Sequence, residues 1–409
     1  MSDVKNTIRE ELKKNNGVLR FAPAWVGRTI LKPGRRLKLD VRDIYARGAQ
    51  WGGISERWMA STGMVDNGDT TWENEGMSFV VIDTPAGPKQ VMFKNAIDEV
   101  GDEILGKEIM NKWGGLKSFA KFYDFQTPIP HHVHLREEHA KAVGDTPKPE
   151  SYYFPAELNN YDYMGGYTYF GIDPHTTKAK LKTYLEDWGK GGDNGILEVA
   201  KAYSLKVNTG WDIPAGILHA PGSFVTYEPQ WVSDCSLFWQ SMIRDNFFAR
   251  DLLVKFIPEE KKWDLDYLIE CLDWEANTDP DFKTNHYHEP VPVEDLGALQ
   301  EKGYVEEWIS YGSDKFSAKR LAVAPGREVT ITDGAAYGFI AMQGYGEIQG
   351  IRIETPAVIR YEQLTRDEFY VSESAAQQGV VIKNTSDVSD LVLLKHFGPD
   401  NPDAQKFVK

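Results

Sequence analysis

The chain has 409 residues and a mass of 46.3 kDa, too long for one ordinary hydrophobic core, so two or three lobes, or one domain with large insertions, are expected. A hydrophobic share of 41% with 12% aromatic residues excludes a disordered polypeptide. A formal charge of −15, from 61 acidic against 46 basic residues, argues against nucleic acid and anionic membrane as partners.

In chain order, the N-terminus carries charges on both sides of Ile8 and Leu12, which predicts a short amphipathic helix over residues 3–15. It lacks the apolar segment of a signal peptide, and nowhere does an uncharged apolar run approach the roughly 20 residues of a membrane helix. The two cysteines, Cys235 and Cys271, make neither a framework nor a C-x-x-C pair and read as buried free thiols. A cytoplasmic protein is the expectation. Residues 35–95 alternate in short runs, RRLKLDV and MSFVVIDT among them, between Gly, Asn, Asp and Pro, which predicts strands and turns. Helices are expected over 176–188 and 193–203, split by a Gly-Gly-Asp-Asn stretch, and again over 243–257. The polar, proline-bearing stretch at 275–300 is the expected boundary between lobes. Beyond it, FSAKRLAVA, REVTITD, AYGFIAMQG, YGEIQGIRIE, GVVIKNT and LVLLKHFG predict an all-β second lobe.

Four of the nine histidines, His131, His132, His134 and His139, fall within nine residues. In a strand, the i, i+2 spacing of His132 and His134 puts both imidazoles on one face. Further on, NTGWDIPAGILHAPG contains P-x-G-x-x-H, where Pro214 and Gly216 form a tight turn that would aim His219 inward. Three histidines and one carboxylate form a closed ligand set for a divalent transition metal, and Glu150, in Lys148-Pro149-Glu150, is the candidate carboxylate. His131 and His139 are expected outside the ligand set. The rival motif, His286-Tyr287-His288-Glu289, has the right spacing but no partner motif. Glu56 and Trp58 are candidates for the pocket floor, with core packing the alternative for the tryptophan. Trp211, Trp231, Trp239, Tyr152 and Tyr153 suit either stacking on a ligand or an ordinary core.

A His-x-His, then a Glu, then P-x-G-x-x-H resembles the metal-binding cupins. The Lys-Pro-Glu sequence, the helical stretch before the last histidine, and Gly53–Ser61 (GISERWMAS) resemble class I mannose-6-phosphate isomerases. The resemblance implies a mainly β fold: a metal-binding cupin (jelly-roll) barrel over 1–290, with a helical insertion at about 155–205 and 243–257, followed by a second, metal-free cupin-like barrel over 291–409. It implies His134, Glu150 and His219 as metal ligands, with Lys148 as an active-site lysine. His132 stands where that family usually has glutamine, which makes Mn, Fe or Ni as reasonable as Zn. The family's arginine-bearing stretch after the last histidine is replaced by WVSDCSLFWQSMIRDN, where only Ser233-Asp234 match and Arg244 is the nearest arginine.

The implied activity is a metal-dependent aldose-ketose isomerase, acting on a sugar or sugar phosphate by proton transfer through a cis-enediol. Lys148 is the candidate proton carrier, with a pKa lowered beside a dication. Two other readings stay open: an Fe or Mn dioxygenase or sugar-acid enzyme, and a non-catalytic sugar-binding cupin. A small carbohydrate is the expected partner, and a homo-oligomer is compatible with the sequence.

Overall fold

The computed structural model describes residues 2–159, 166–188 and 190–404. Positions 160–165 and 189, within the expected insertion, and 405–409, within the expected second barrel, lie outside the described residues.

Antiparallel sheets dominate. A seven-stranded sheet, from Ala24–Arg28 at one edge to Tyr287–His288 at the other, includes Gly53–Met59, Ser118–Tyr123, Thr226–Trp231, Glu150–Tyr153 and Gly210–Ile213. It accompanies a five-stranded sheet of Ala200–Ser204, Tyr167–Ile172, His219–Ala220, His132–Val133 and Leu237–Phe238. The six runs expected beyond residue 315 form strands of a nine-stranded and a four-stranded sheet, and a further strand, Glu368–Val371, was not predicted. Their core is built from inward residues such as Val18, Leu321, Phe339, Phe369 and Leu393.

Sheet membership crosses the expected boundary near residue 290. Val18–Ala22, Phe79–Thr84 and Gly87–Met92 extend the nine-stranded sheet, with Val18 opposite Val371 and Phe21 opposite Val80. The helix Ser2–Lys14 and a second helix, Phe93–Ile104, which the sequence pattern did not predict, cover that extension through Ile8, Phe93, Ile97 and Tyr370.

Three local expectations need correction. RRLKLDV forms no strand and leaves one bridge, Leu39 to Ile359. The helix expected over 193–203 is a 3-10 turn at Ile196–Glu198 followed by a strand, Ala200–Ser204, because that segment is needed to pair with the edge of Tyr167–Ile172. The helix expected over 243–257 is a small hairpin, Met242–Ile243 with Asn246–Phe247, and then one helical turn at Asp251–Val254. Within the expected insertion a helix does form at Lys178–Glu186, capped by the Thr177 hydroxyl. Its Leu181, Tyr184 and Leu185 pack with Leu253, Val254, Leu268 and Ile269 over the outside of the five-stranded sheet. No helix among the described residues is long and apolar enough to cross a membrane.

Candidate metal centre

His132 and His219 are direct cross-strand partners in the five-stranded sheet, with ring centroids 4.1 Å apart. His134 follows two residues after His132, and its centroid lies 5.0 Å from each of the other two rings. Each histidine offers a ligand nitrogen, and these atoms all lie within 4.8 Å of one another. Among the described residues no other His, Cys, Asp or Glu group meets that criterion.

The ring orientations follow from local hydrogen bonding. Nδ1 of His132 donates to the Pro130 carbonyl at 2.7 Å, Nδ1 of His134 to the Cys235 carbonyl at 2.6 Å, and Nδ1 of His219 to the Ile217 carbonyl at 2.8 Å. A carbonyl can only accept, so each Nδ1 carries the proton, and in a neutral ring Nε2 is left with its lone pair. Burial, followed by the neighbouring rings His219 and His134, holds His132 well below the usual imidazole value. Burial and then the Lys148 charge bring His134 down to about 4. These two rings are neutral at physiological pH, as metal ligands must be.

Glu150 enters from the facing seven-stranded sheet. Its carboxylate oxygens lie 3.1 Å from His134 Nε2 and 3.0 Å from His219 Nε2. Tyr152 donates its hydroxyl to Glu150 Oε1 at 2.5 Å, and the Lys148 ammonium donates to Oε2 at 2.5 Å. Burial opposes ionisation of Glu150, but the Lys148 charge outweighs it and holds the carboxyl well below its usual range. Nε2 of His219 is buried without a hydrogen-bond partner although a carboxylate oxygen is close, because both atoms bring lone pairs. Converging imidazole and carboxylate lone pairs in a buried place suit a divalent cation.

The turn that delivers His219 is held from outside the two motifs. Gly216 has φ +93, and a Cβ there would meet Arg136 Cγ at 2.8 Å. The buried Asn277 side chain accepts from Leu218 N at 2.7 Å and donates to the Gly216 carbonyl at 2.7 Å. Asn277 lies in the stretch read from sequence as a connector, and nothing local signals its role.

His132, His134 and Lys148 open onto a cavity of about 480 Å³. Its charged wall includes Arg28, Glu56, Lys121 and Asp234, and its apolar wall Ile129, Phe125, Phe238 and Phe256. Arg28 makes hydrogen bonds to Glu56 at 2.7 Å and, through both terminal nitrogens, to Asp234 at 3.0 Å. Lys148 also reaches Glu228 at 3.2 Å. Burial opposes the Lys148 charge, yet Glu150 and Glu228 outweigh it and raise the pKa above the ordinary lysine value. Burial, helped by the Glu150 charge, pushes Glu228 up to about 7.

Arg244 sits at the tip of the hairpin with φ +51, exposed and outside the cavity lining, so the arginine of this cavity is Arg28, from an N-terminal strand. Glu56 lines the cavity, whereas Trp58 is core and donates its indole N–H to Glu56 at 2.8 Å. Trp211, Trp231, Trp239, Tyr152 and Tyr153 are all buried. His131 lies outside the three-histidine cluster and pairs with Gln240 at 3.0 Å, and His139 packs on Tyr267. The rival pair diverges: His286 stacks on Phe282 and His288 on Tyr311. Both cysteines are free and buried.

The protein is mainly β with a cupin-type fold, and it carries a histidine cluster able to hold a metal. No protein-family model matches the chain, and no curated protein matches it in sequence. Solved structures do match. A mannosephosphate isomerase from Archaeoglobus fulgidus superposes with a TM-score of 0.60 at 14% identity, covering 93% of this chain and 97% of that one. A zinc-bound mannose 6-phosphate isomerase gives 0.61 at 13%, covering 94% and 100%, and a histidine mutant of phosphomannose isomerase from Salmonella typhimurium gives 0.61 at 12% with the same coverage. Identities this low establish a shared fold.

Proposed function

We propose that the protein is a metal-dependent isomerase that interconverts an aldose and a ketose, with one divalent ion held by His132, His134, His219 and Glu150. The observation that carries this reading is the convergence of three imidazoles and one carboxylate beside a sugar-sized cavity whose wall includes His132 and His134. The fold shared with phosphomannose isomerases supports the choice of reaction.

The bound ion would supply Lewis-acid polarisation of the sugar's carbonyl and hydroxyl oxygens. The chain's own residues do the rest. Tyr152 and Lys148 fix the Glu150 carboxylate, and three backbone carbonyls fix the imidazoles, so the site is formed before substrate arrives. The Lys148 ammonium presents N–H donors at the cavity wall, where negative charge develops on a substrate oxygen as a proton leaves carbon. The proton moving between C1 and C2, through a cis-enediol, is carried by an ionisable group of that wall, which includes Lys121, Lys148, Glu56 and Asp234. Phe238 and Phe256 offer an apolar surface to the C–H face of a sugar. Two buried free thiols favour a reducing, cytoplasmic setting.

The test is elemental analysis of untreated protein, followed by proton NMR of deuterium exchange at C2 of mannose, lyxose, fructose and their phosphates, with His132→Ala and Glu150→Ala as controls. Exchange that disappears with the metal is the expected result. A stoichiometric metal with no exchange on any of these compounds would sink the isomerase reading and move the weight to oxygen chemistry or to binding alone.

A further inference from the structure

Four cationic side chains, Arg28, Lys121, Lys148 and Lys255, line the cavity. Each is already matched with carboxylate. Arg28 lies between Glu56 and Asp234, at 2.7 and 3.0 Å. Lys121 is 3.3 Å from Glu228 and 3.8 Å from Glu56. Lys148 is 2.5 Å from Glu150 and 3.2 Å from Glu228. At the more exposed end, Lys255 is 2.7 Å from Asp66. Asp251 adds a further carboxylate to the same wall.

A phosphate monoester is close to a dianion at neutral pH and is recognised by cations with donors to spare, above all by an arginine fork presented to it. Here the fork of Arg28 is closed on two protein carboxylates. To bind phosphate it would have to release them, leaving two acids exposed to the incoming charge. Sugar hydroxyls make the opposite demand: they donate to carboxylates and accept from ammonium and guanidinium groups without carrying net charge. The apolar wall of Phe125, Phe238 and Phe256 completes a surface with one polar and one apolar side, matching the two faces of a pyranose or an extended aldose.

We infer that the substrate is an unphosphorylated sugar, and that Arg28, Glu56, Asp234 and the Lys255–Asp66 pair set this preference, since among the described residues every Lys and Arg side chain lining the cavity is already paired with a carboxylate. The inference rests on the isomerase reading for its site, but it concerns what the cavity binds and is tested by binding.

With the metal-loaded full chain, calorimetric titrations compare mannose with mannose 6-phosphate, and mannitol with mannitol 1-phosphate, alongside the exchange assay. At least about tenfold tighter binding of the uncharged member of each pair is expected. Inorganic phosphate should fail to displace it. Asp66→Asn, a change at a partly exposed position, frees Lys255 and should raise affinity for the phosphate esters by about fivefold relative to the matching uncharged sugars. Equal or tighter binding of the phosphates by the unaltered protein would overturn the inference, as would binding of neither member of a pair. An Asp66→Asn protein with no gain for phosphates would overturn the assigned cause. Preferential binding of free sugar without exchange would leave this inference standing and remove the isomerase reading; exchange on phosphates alone would do the reverse.

Discussion

His132 and His219 face each other across neighbouring strands, and each ring donates its Nδ1 proton to the carbonyl two residues before it, Pro130 in one case and Ile217 in the other. The same local bond is repeated on both sides of the ladder, and Nε2 of His219 lies 3.0 Å from a Glu150 oxygen. A His219→Ala protein should therefore lose bound divalent metal, with an affinity loss beyond the roughly 10- to 100-fold that follows from removing only a ligand's hydrogen-bond partner. Metal titration followed by calorimetry measures it. Adding metal should raise the melting temperature of the unaltered protein and leave that of the variant in place.

Arg28 is the cation that two buried carboxylates share, with a side chain only 12% exposed. Arg28→Ala leaves Glu56 and Asp234 without their main counter-charge and should cost about 3–5 kcal/mol. Arg28→Lys should recover only part of this, since an ammonium cannot make the fork to Asp234. Urea unfolding midpoints of the two variants check the order.

Asn277 holds the turn before His219 from a helix distant in sequence. Asn277→Ala leaves the buried Leu218 N–H without a partner and the Gly216 carbonyl with only the Asp273 N–H, a loss of about 1–3 kcal/mol. Because the turn aims His219, metal affinity should fall with stability. Were metal affinity unchanged in a protein destabilised by that amount, the turn would not be what positions the ligand.

Beside the nine-stranded sheet, Asp333 lies 2.7 Å from Lys319 and 2.5 Å from Lys395. Burial opposes its ionisation, but the two ammonium groups outweigh it and hold the carboxyl below the usual range. A carboxyl depressed in the folded state binds fewer protons there than in the unfolded chain. Its stabilisation is therefore complete above the unfolded value of about 3.9 and is lost as pH falls through the lower folded value. Urea midpoints should drop as pH falls below about 4. Asp333→Asn should be less stable at neutral pH and show a shallower acid limb.

Much of the site was readable from local pattern. His132 and His134 announced themselves by strand spacing, His219 by a turn that needs Gly216, and Glu150 by its place beside Lys148 at the head of an aromatic strand. The strands after residue 315 were readable because alternation of apolar and polar residues is itself the signature of a half-buried sheet. Where a segment's fate depended on a remote partner, pattern misled. Residues 200–204 have helical spacing and nonetheless pair as a strand with 167–172, and residues 18–22 join a sheet made mostly from the other end of the chain.

Arg244 shows the same limit inside the site. Proximity in sequence made it the candidate arginine, but a left-handed turn carries it into solvent, while Arg28 reaches Asp234 from 206 residues away. Sequence by itself determined the ligand types, their spacing and the β character of the chain, because those rest on backbone period and turn chemistry within a few residues. Only the tertiary structure decided which carboxylate neutralises which cation, because ion pairing depends on distances of a few ångströms between groups that the chain order leaves far apart.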